Sequence, residues 1–107
     1  MVLVVEDPFV TKFLRSLLTR DGFQVAAAQP RDALEMLRSR AIKVDLLVTN
    51  APAHFTEVAE RVPLLYLAAV PDLAAVAEFQ TMFTMRKPFR PRQLLEAVRQ
   101  LVAGPKQ

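Results

Sequence analysis

The chain of 107 residues has no cysteine and no tryptophan, one histidine and two glycines. Without cysteine there is no disulfide scaffold, no zinc finger and no thiol nucleophile, as suits a reducing compartment. With only Gly22 and Gly104, neither Gly-rich phosphate loop of the nucleotide enzymes can be built. His54 alone gives no pair of imidazole metal ligands and no ordinary Ser-His-Asp triad. Long apolar runs are missing too, since each is broken by Arg, Asp or Pro before it reaches the length of a membrane span. The opening Met1 to Asp7 lacks the basic region and cleavage site of a signal peptide. The expectation is a cytoplasmic protein with no membrane partner.

What is present is enough for one core. Hydrophobic residues make up 52% and charged residues 23%, which places the chain among folded proteins rather than disordered tails. A single domain is expected over 1–104, with 105–107 as a tail. Fourteen Lys and Arg against eleven Asp and Glu leave a net charge of +3. The bases are spread from Lys12 to Lys106 and mostly alternate with acids, which reads as a solvated surface. No nucleic-acid partner is expected.

Patterning divides the chain into alternating elements. Val2 to Val5 is a continuous apolar run ended by acids and Pro8, the pattern of a strand buried on both faces. Phe9, Val10, Phe13, Leu14, Leu17 and Leu18 recur at helical spacing until Asp21-Gly22. A second strand is predicted over Phe23 to Ala28, and a second helix over Arg31 to Arg40, with Pro30 at its start. Val44 to Thr49, Leu64 to Ala68 and Met82 to Met85 read as three more strands. Asp72 to Phe79 reads as a helix. A last helix runs from Pro91 to Val102 and is closed by Gly104. Apolar strands alternating with amphipathic helices imply a parallel sheet covered on both faces.

In such sheets the chemistry collects beyond the carboxyl ends of the strands. Those ends carry Glu6 and Asp7, Asn50, Ala68-Ala69 and Lys87-Pro88. Two adjacent carboxylates facing a lysine suit a hard cation, or a phosphoryl group bridged by one. A plainer role for the two acids is to cap the helix that follows, although capping leaves Lys87-Pro88 at the same rim unexplained.

These residues resemble a known family over essentially the whole chain. Val2-Leu3-Val4-Val5-Glu6-Asp7, Asp45-Leu46-Leu47-Val48-Thr49-Asn50, Pro63-Leu64-Leu65-Tyr66-Leu67-Ala68-Ala69 and Arg86-Lys87-Pro88-Phe89 together resemble the receiver domain of two-component response regulators. The resemblance implies a flavodoxin-like (βα)₅ fold of strand order 2-1-3-4-5. It also implies a site in which an aspartate after the third strand takes a phosphoryl group from a histidine kinase. In the family the acidic pair and that aspartate hold Mg²⁺, a Thr or Ser after the fourth strand bonds the phosphoryl oxygen, and the lysine ion-pairs with it.

Carried over position by position, Glu6, Asp7 and Lys87 match, but Asn50 stands at the acceptor position and Ala68 at the hydroxyl position. A neutral amide is a poor nucleophile and removes one anionic ligand from the cation site. Asp45 is no substitute, because it opens its strand, far from the carboxyl rim. The family's three polar residues after the first strand are cut short by Pro8, and its Met-Pro-Gly loop is replaced by Ala51-Pro52-Ala53-His54. His54 reads as a solvated loop residue. Twelve residues, Ala51 to Val62, join Asn50 to Pro63, so the third helix is expected to shrink to Thr56–Arg61. The aromatic expected three residues before the lysine is replaced by Thr84, with Phe83 just before it. Strand alternation then predicts Phe83 in the core and Thr84 outside.

The resulting expectation is a receiver-like domain with a degenerate site, binding Mg²⁺ weakly at best through Glu6 and Asp7. It would have no catalysis of its own and would act as a protein-interaction module without being phosphorylated. The alternative is a genuine phosphoacceptor using an acid other than Asn50. The partner is expected to be a histidine kinase, an output domain or a second receiver. A homodimer is one form of this, because Asp72, Glu78 and Glu96 alternate with Arg86, Arg90, Arg92 and Arg99. Together with Thr84, those arginines form the expected interaction surface.

Overall fold

The computed structural model describes residues 1–103. The expected tail at 105–107 and the closing Gly104 lie outside the described residues. Five strands form one parallel sheet in the order 2-1-3-4-5. These are β1 (Val2–Val5), β2 (Val25–Ala27), β3 (Leu46–Thr49), β4 (Leu64–Ala68) and β5 (Met82–Arg86). The flavodoxin-like sheet expected from the sequence is the one observed. Its strands β1 and β3 are apolar up to Thr49 because each is covered on both faces: Val2, Val4, Leu46 and Val48 face one layer, and Leu3, Val5 and Leu47 the other.

Three α-helices complete the layers: α1 (Pro8–Arg20), α2 (Pro30–Ser39) and α3 (Pro91–Ala103). Each opens with proline, whose missing N–H falls where no intrahelical acceptor exists. The Asp7 carboxylate accepts from the Val10 amide at 3.0 Å and caps α1. At the other end Gly22 takes φ +96°, and the amides of Gly22 and Phe23 return to the carbonyls of Thr19 and Leu18. Helices α1 and α3 bury Leu14, Leu18, Leu94, Ala97, Val98 and Leu101 against one sheet face. No helix among the described residues is long and apolar enough to cross a membrane.

The other face corrects the sequence reading. The third connection is not an α-helix over Thr56–Arg61 but a 3₁₀ segment, Pro52–Val58, kinked at Phe55. The helix expected over Asp72 to Phe79 is a single 3₁₀ turn, Leu73–Val76. The (βα)₅ pattern therefore keeps three α-helices, with two short 3₁₀ segments in place of the others. Both connections bury a few large side chains without room for an extended helix. Phe55, Val58, Val62, Val76 and Phe79 join Ala33 and Leu37 of α2 in the second core. Strand ends also draw in, with β2 and β3 shorter than expected.

The last strand departs from expectation as well. Phe83 is 50% exposed, whereas the hydroxyl of Thr84 is buried with no hydrogen-bond partner. Alternation holds, since Phe83 pairs with Leu65 and Thr84 with Tyr66 across β4. The inside-outside assignment fails because β5 is an edge strand. The layer that would cover Phe83 stops short of it.

Candidate functional site

The carboxyl ends of β1, β3, β4 and β5 bring together the residues that the sequence singled out. Parallel pairing sets Val5 beside Thr49, and Ala68 beside Arg86. Glu6 and Asp7 follow β1 directly, Asn50 follows β3, and Lys87 follows β5. The Lys87 amide donates to the Ala68 carbonyl at 2.8 Å, and the Lys87–Pro88 peptide is cis.

Lysine and acid meet across this rim. Lys87 Nζ donates to Glu6 Oε1 at 3.2 Å, and the Asp7 amide donates to the same oxygen at 3.2 Å. The Glu6 side chain has 0% exposure and that of Lys87 24%, so the pair is largely withdrawn from water. Burial pushes the Glu6 carboxyl above its ordinary value, against the opposing pull of the Lys87 hydrogen bond and charge. Glu6 Oε2 is buried and has no partner. An unpaired buried oxygen of this kind is a cost to the fold.

The two acids thus divide their work. Asp7 points its Oδ1 at the amide of Val10, the plainer role weighed from sequence, while Glu6 answers Lys87. Among the described residues no group of three or more His, Cys, Asp or Glu converges on one point. Asn50 is exposed at the mouth and Ala68 is half-buried behind it.

Thr49 is the rim residue that sequence reading passed over. Its buried hydroxyl donates to the Val5 carbonyl at 2.8 Å and accepts from the Ala51 amide at 3.1 Å. It therefore ties the ends of β1 and β3 together and sets the turn that carries Asn50. A hydroxyl residue closing an apolar strand just before a turn is a recognisable signal. Tyr66 was also passed over; its hydroxyl accepts from the Asp72 amide at 3.0 Å.

The expected surface residues differ in their surroundings. Arg86 and Arg92 both line a groove between β5 and α3, which also takes in Thr84. Arg99 instead makes a two-pronged ion pair with Asp21 at 2.7 and 3.0 Å, joining α3 to the end of α1. Asp72 is occupied as the cap of the second 3₁₀ turn. Arg90 is exposed and Glu96 accepts from Gln100 at 3.2 Å. Asp45 lies at the amino end of β3, bonded to the Met1 amino group. His54 is exposed, edge-on to Phe55.

No family model and no curated protein matches the chain. Solved structures do. A response regulator receiver protein from Sinorhizobium medicae is similar at 25% identity and TM-score 0.78, with 96% of this chain and 93% of that one covered. A two-component response regulator from Clostridium difficile aligns at 15% identity and TM-score 0.79, over 96% and 95% of the two chains. The receiver domain of a sensor histidine kinase from Pseudomonas aeruginosa, with a magnesium ion coordinated in its active-site cleft, aligns at 18% identity and TM-score 0.77, over 96% and 97%. The last two likenesses are likenesses of fold. The first supports a receiver domain of two-component signalling.

Proposed function

We propose that the chain is a receiver-like module of a two-component system that binds a protein partner without being phosphorylated itself. One observation carries the reading: the residue presented at the end of β3, at the mouth of the rim, is the neutral Asn50. An amide offers neither the nucleophilic oxygen nor the charge that an acyl phosphate needs. The Lys87–Glu6 contact at 3.2 Å supports the same reading, because the lysine of the rim already has a carboxylate partner.

The donor set does not fit a Mg²⁺ centre. Glu6 Oε1 serves Lys87 and the Asp7 amide, Asp7 Oδ1 caps α1, and Asn50 contributes no charge. Weak Mg²⁺ binding at best follows, and no step of the proposed function runs through a metal. A histidine kinase, an output domain or a second receiver is the kind of partner such a module takes, and a cytoplasmic location fits it. The module has no catalysis of its own.

Intact-mass measurement after incubation with Mg²⁺ and acetyl phosphate tests the proposal. An unchanged mass is expected. A gain of one phosphoryl group would overturn it in favour of an acceptor acid other than Asn50. Asn50→Asp is expected to restore some phosphorylation. Asn50→Asp together with Ala68→Thr is expected to be needed before the amide shifts of β5 respond to beryllofluoride.

A further inference from the structure

The two edges of the sheet are guarded differently. At one edge β2 is three residues long; at the other β5 has five, and among the described residues no strand pairs with its outer side. Natural edges are blunted by shortness, by central charges, by proline or by a bulge. Met82–Arg86 has none of these before its last residue, and it exposes Phe83 by half. Beside it lies a groove of about 890 Å³ floored by Phe83, Met85, Ala97 and Leu101. That volume is at the upper end of what ligand sites enclose.

We infer that β5 and α3 form a docking groove for an extended acidic segment of another protein, which adds to the sheet as a sixth strand. This deepens the proposed function, on whose protein-binding reading it rests. The free N–H and C=O groups of the β5 edge supply the ladder, and the apolar floor takes alternate side chains of the incoming strand. Charge selects the occupant. Arg86, at the exposed end of β5, and Arg92 both line the groove, and neither is ion-paired among the described residues. The one acid of the lining, Glu96, already accepts from Gln100.

A second copy of the chain fits this groove poorly. Its own β5, Met82–Arg86, carries no acid, so the same strand of a second copy offers nothing that pairs with Arg86 and Arg92. The opposite-charge dimer expected from sequence also loses Arg99 to Asp21 and Asp72 to its cap. The complementary acids must come from a different chain.

A phage-displayed library of random decapeptides, selected on the immobilised protein, tests the groove. Enriched sequences are expected to alternate β-branched or aromatic residues and to carry Asp or Glu. The leading peptide, made synthetically, should shift amide signals of residues 82–86 and of α3. N-methylation of its alternate amides should abolish binding. The double variant Arg86→Glu, Arg92→Glu should weaken binding about tenfold or more while the thermal melt stays put.

No enrichment over a protein-free surface, equal binding of the N-methylated peptide, or shifts confined to other elements would each overturn the inference. A wild-type dimer in sedimentation that Phe83→Arg dissolves would give the groove to a second copy and overturn it as well. Phosphorylation in the mass test bears on the proposed function alone, since the peptide selection needs no phosphoryl group.

Discussion

The two faces of the sheet are built by different means. On one, α1 and α3, each of 13 residues, lay amphipathic stripes across the strands. On the other, the 10-residue α2 shares the work with 3₁₀ segments of seven and four residues. Both faces nevertheless bury a continuous core. Burial of apolar area depends on which side chains reach the sheet, not on the helix that carries them. A short connection with a few large residues can cover the area of a longer helix. What it gives up is an outer surface, and with it the helical ridge beside β4 and β5.

The strongest attempt to break this equivalence is Phe55→Ala. Phe55 is fully buried in the kinked 3₁₀ segment, and its loss is expected to lower stability by about 3–5 kcal/mol in urea unfolding. A fall much below that of the helical-face counterpart would mean that the 3₁₀ face is loosely packed. That counterpart is Leu14→Ala, also at 0% exposure, with an expected loss of about 2–5 kcal/mol.

Next in size is a contrast between carboxylates. Glu57, paired with Arg38 at 2.7 Å, fastens the 3₁₀ segment to α2, and Asp21 with Arg99 fastens α1 to α3. Each arginine holds its partner's carboxyl below the ordinary value, 4.5 for Glu57 and 3.8 for Asp21. Their stabilisation is present above those values and is lost as pH falls through the lower folded ones. Glu6 runs the other way. Burial raises its carboxyl, so its contribution favours the fold at low pH and is lost as pH rises through the raised value.

Urea midpoints from pH 7 to pH 3 should therefore fall less steeply in Glu57→Gln than in the wild type, and more steeply in Glu6→Gln. Parallel slopes in all three proteins would count against this assignment. Salt should weaken the two exposed pairs and leave the Glu6–Lys87 contact nearly unchanged. The smallest effect is expected at Leu73→Ala. Leu73 is 66% exposed on the second 3₁₀ turn, and its truncation should shift stability by no more than about 0.5 kcal/mol. A larger loss would reveal packing that its exposure conceals.

The strand positions, the order of elements and the gathering of Glu6, Asp7, Asn50, Ala68 and Lys87 at one rim were legible in the chain. Buried parallel strands announce themselves as apolar runs, and their carboxyl ends must share an edge. The capping of α1 by Asp7 was legible as an option. Its separation from Glu6 was not, because adjacent residues at a strand end turn to different neighbours only once β5 has arrived with Lys87. Thr49 was overlooked because its role needs the Val5 carbonyl, 44 residues away in sequence and 2.8 Å away in space.

The sequence by itself determined the local choices: where proline starts a helix, where Gly22 stops one, which residues alternate, and that Asn50 and Ala68 bring no acid or hydroxyl to the rim. Each follows from the chemistry of one residue or the period of a short run. Only the tertiary structure decided that Phe83 is half-exposed, that Arg99 belongs to Asp21, and that the third and fourth connections tighten into 3₁₀ turns. Exposure is a property of what lies over a residue. At the edge strand β5, local alternation assigns the two faces correctly, but it cannot say whether another layer covers them.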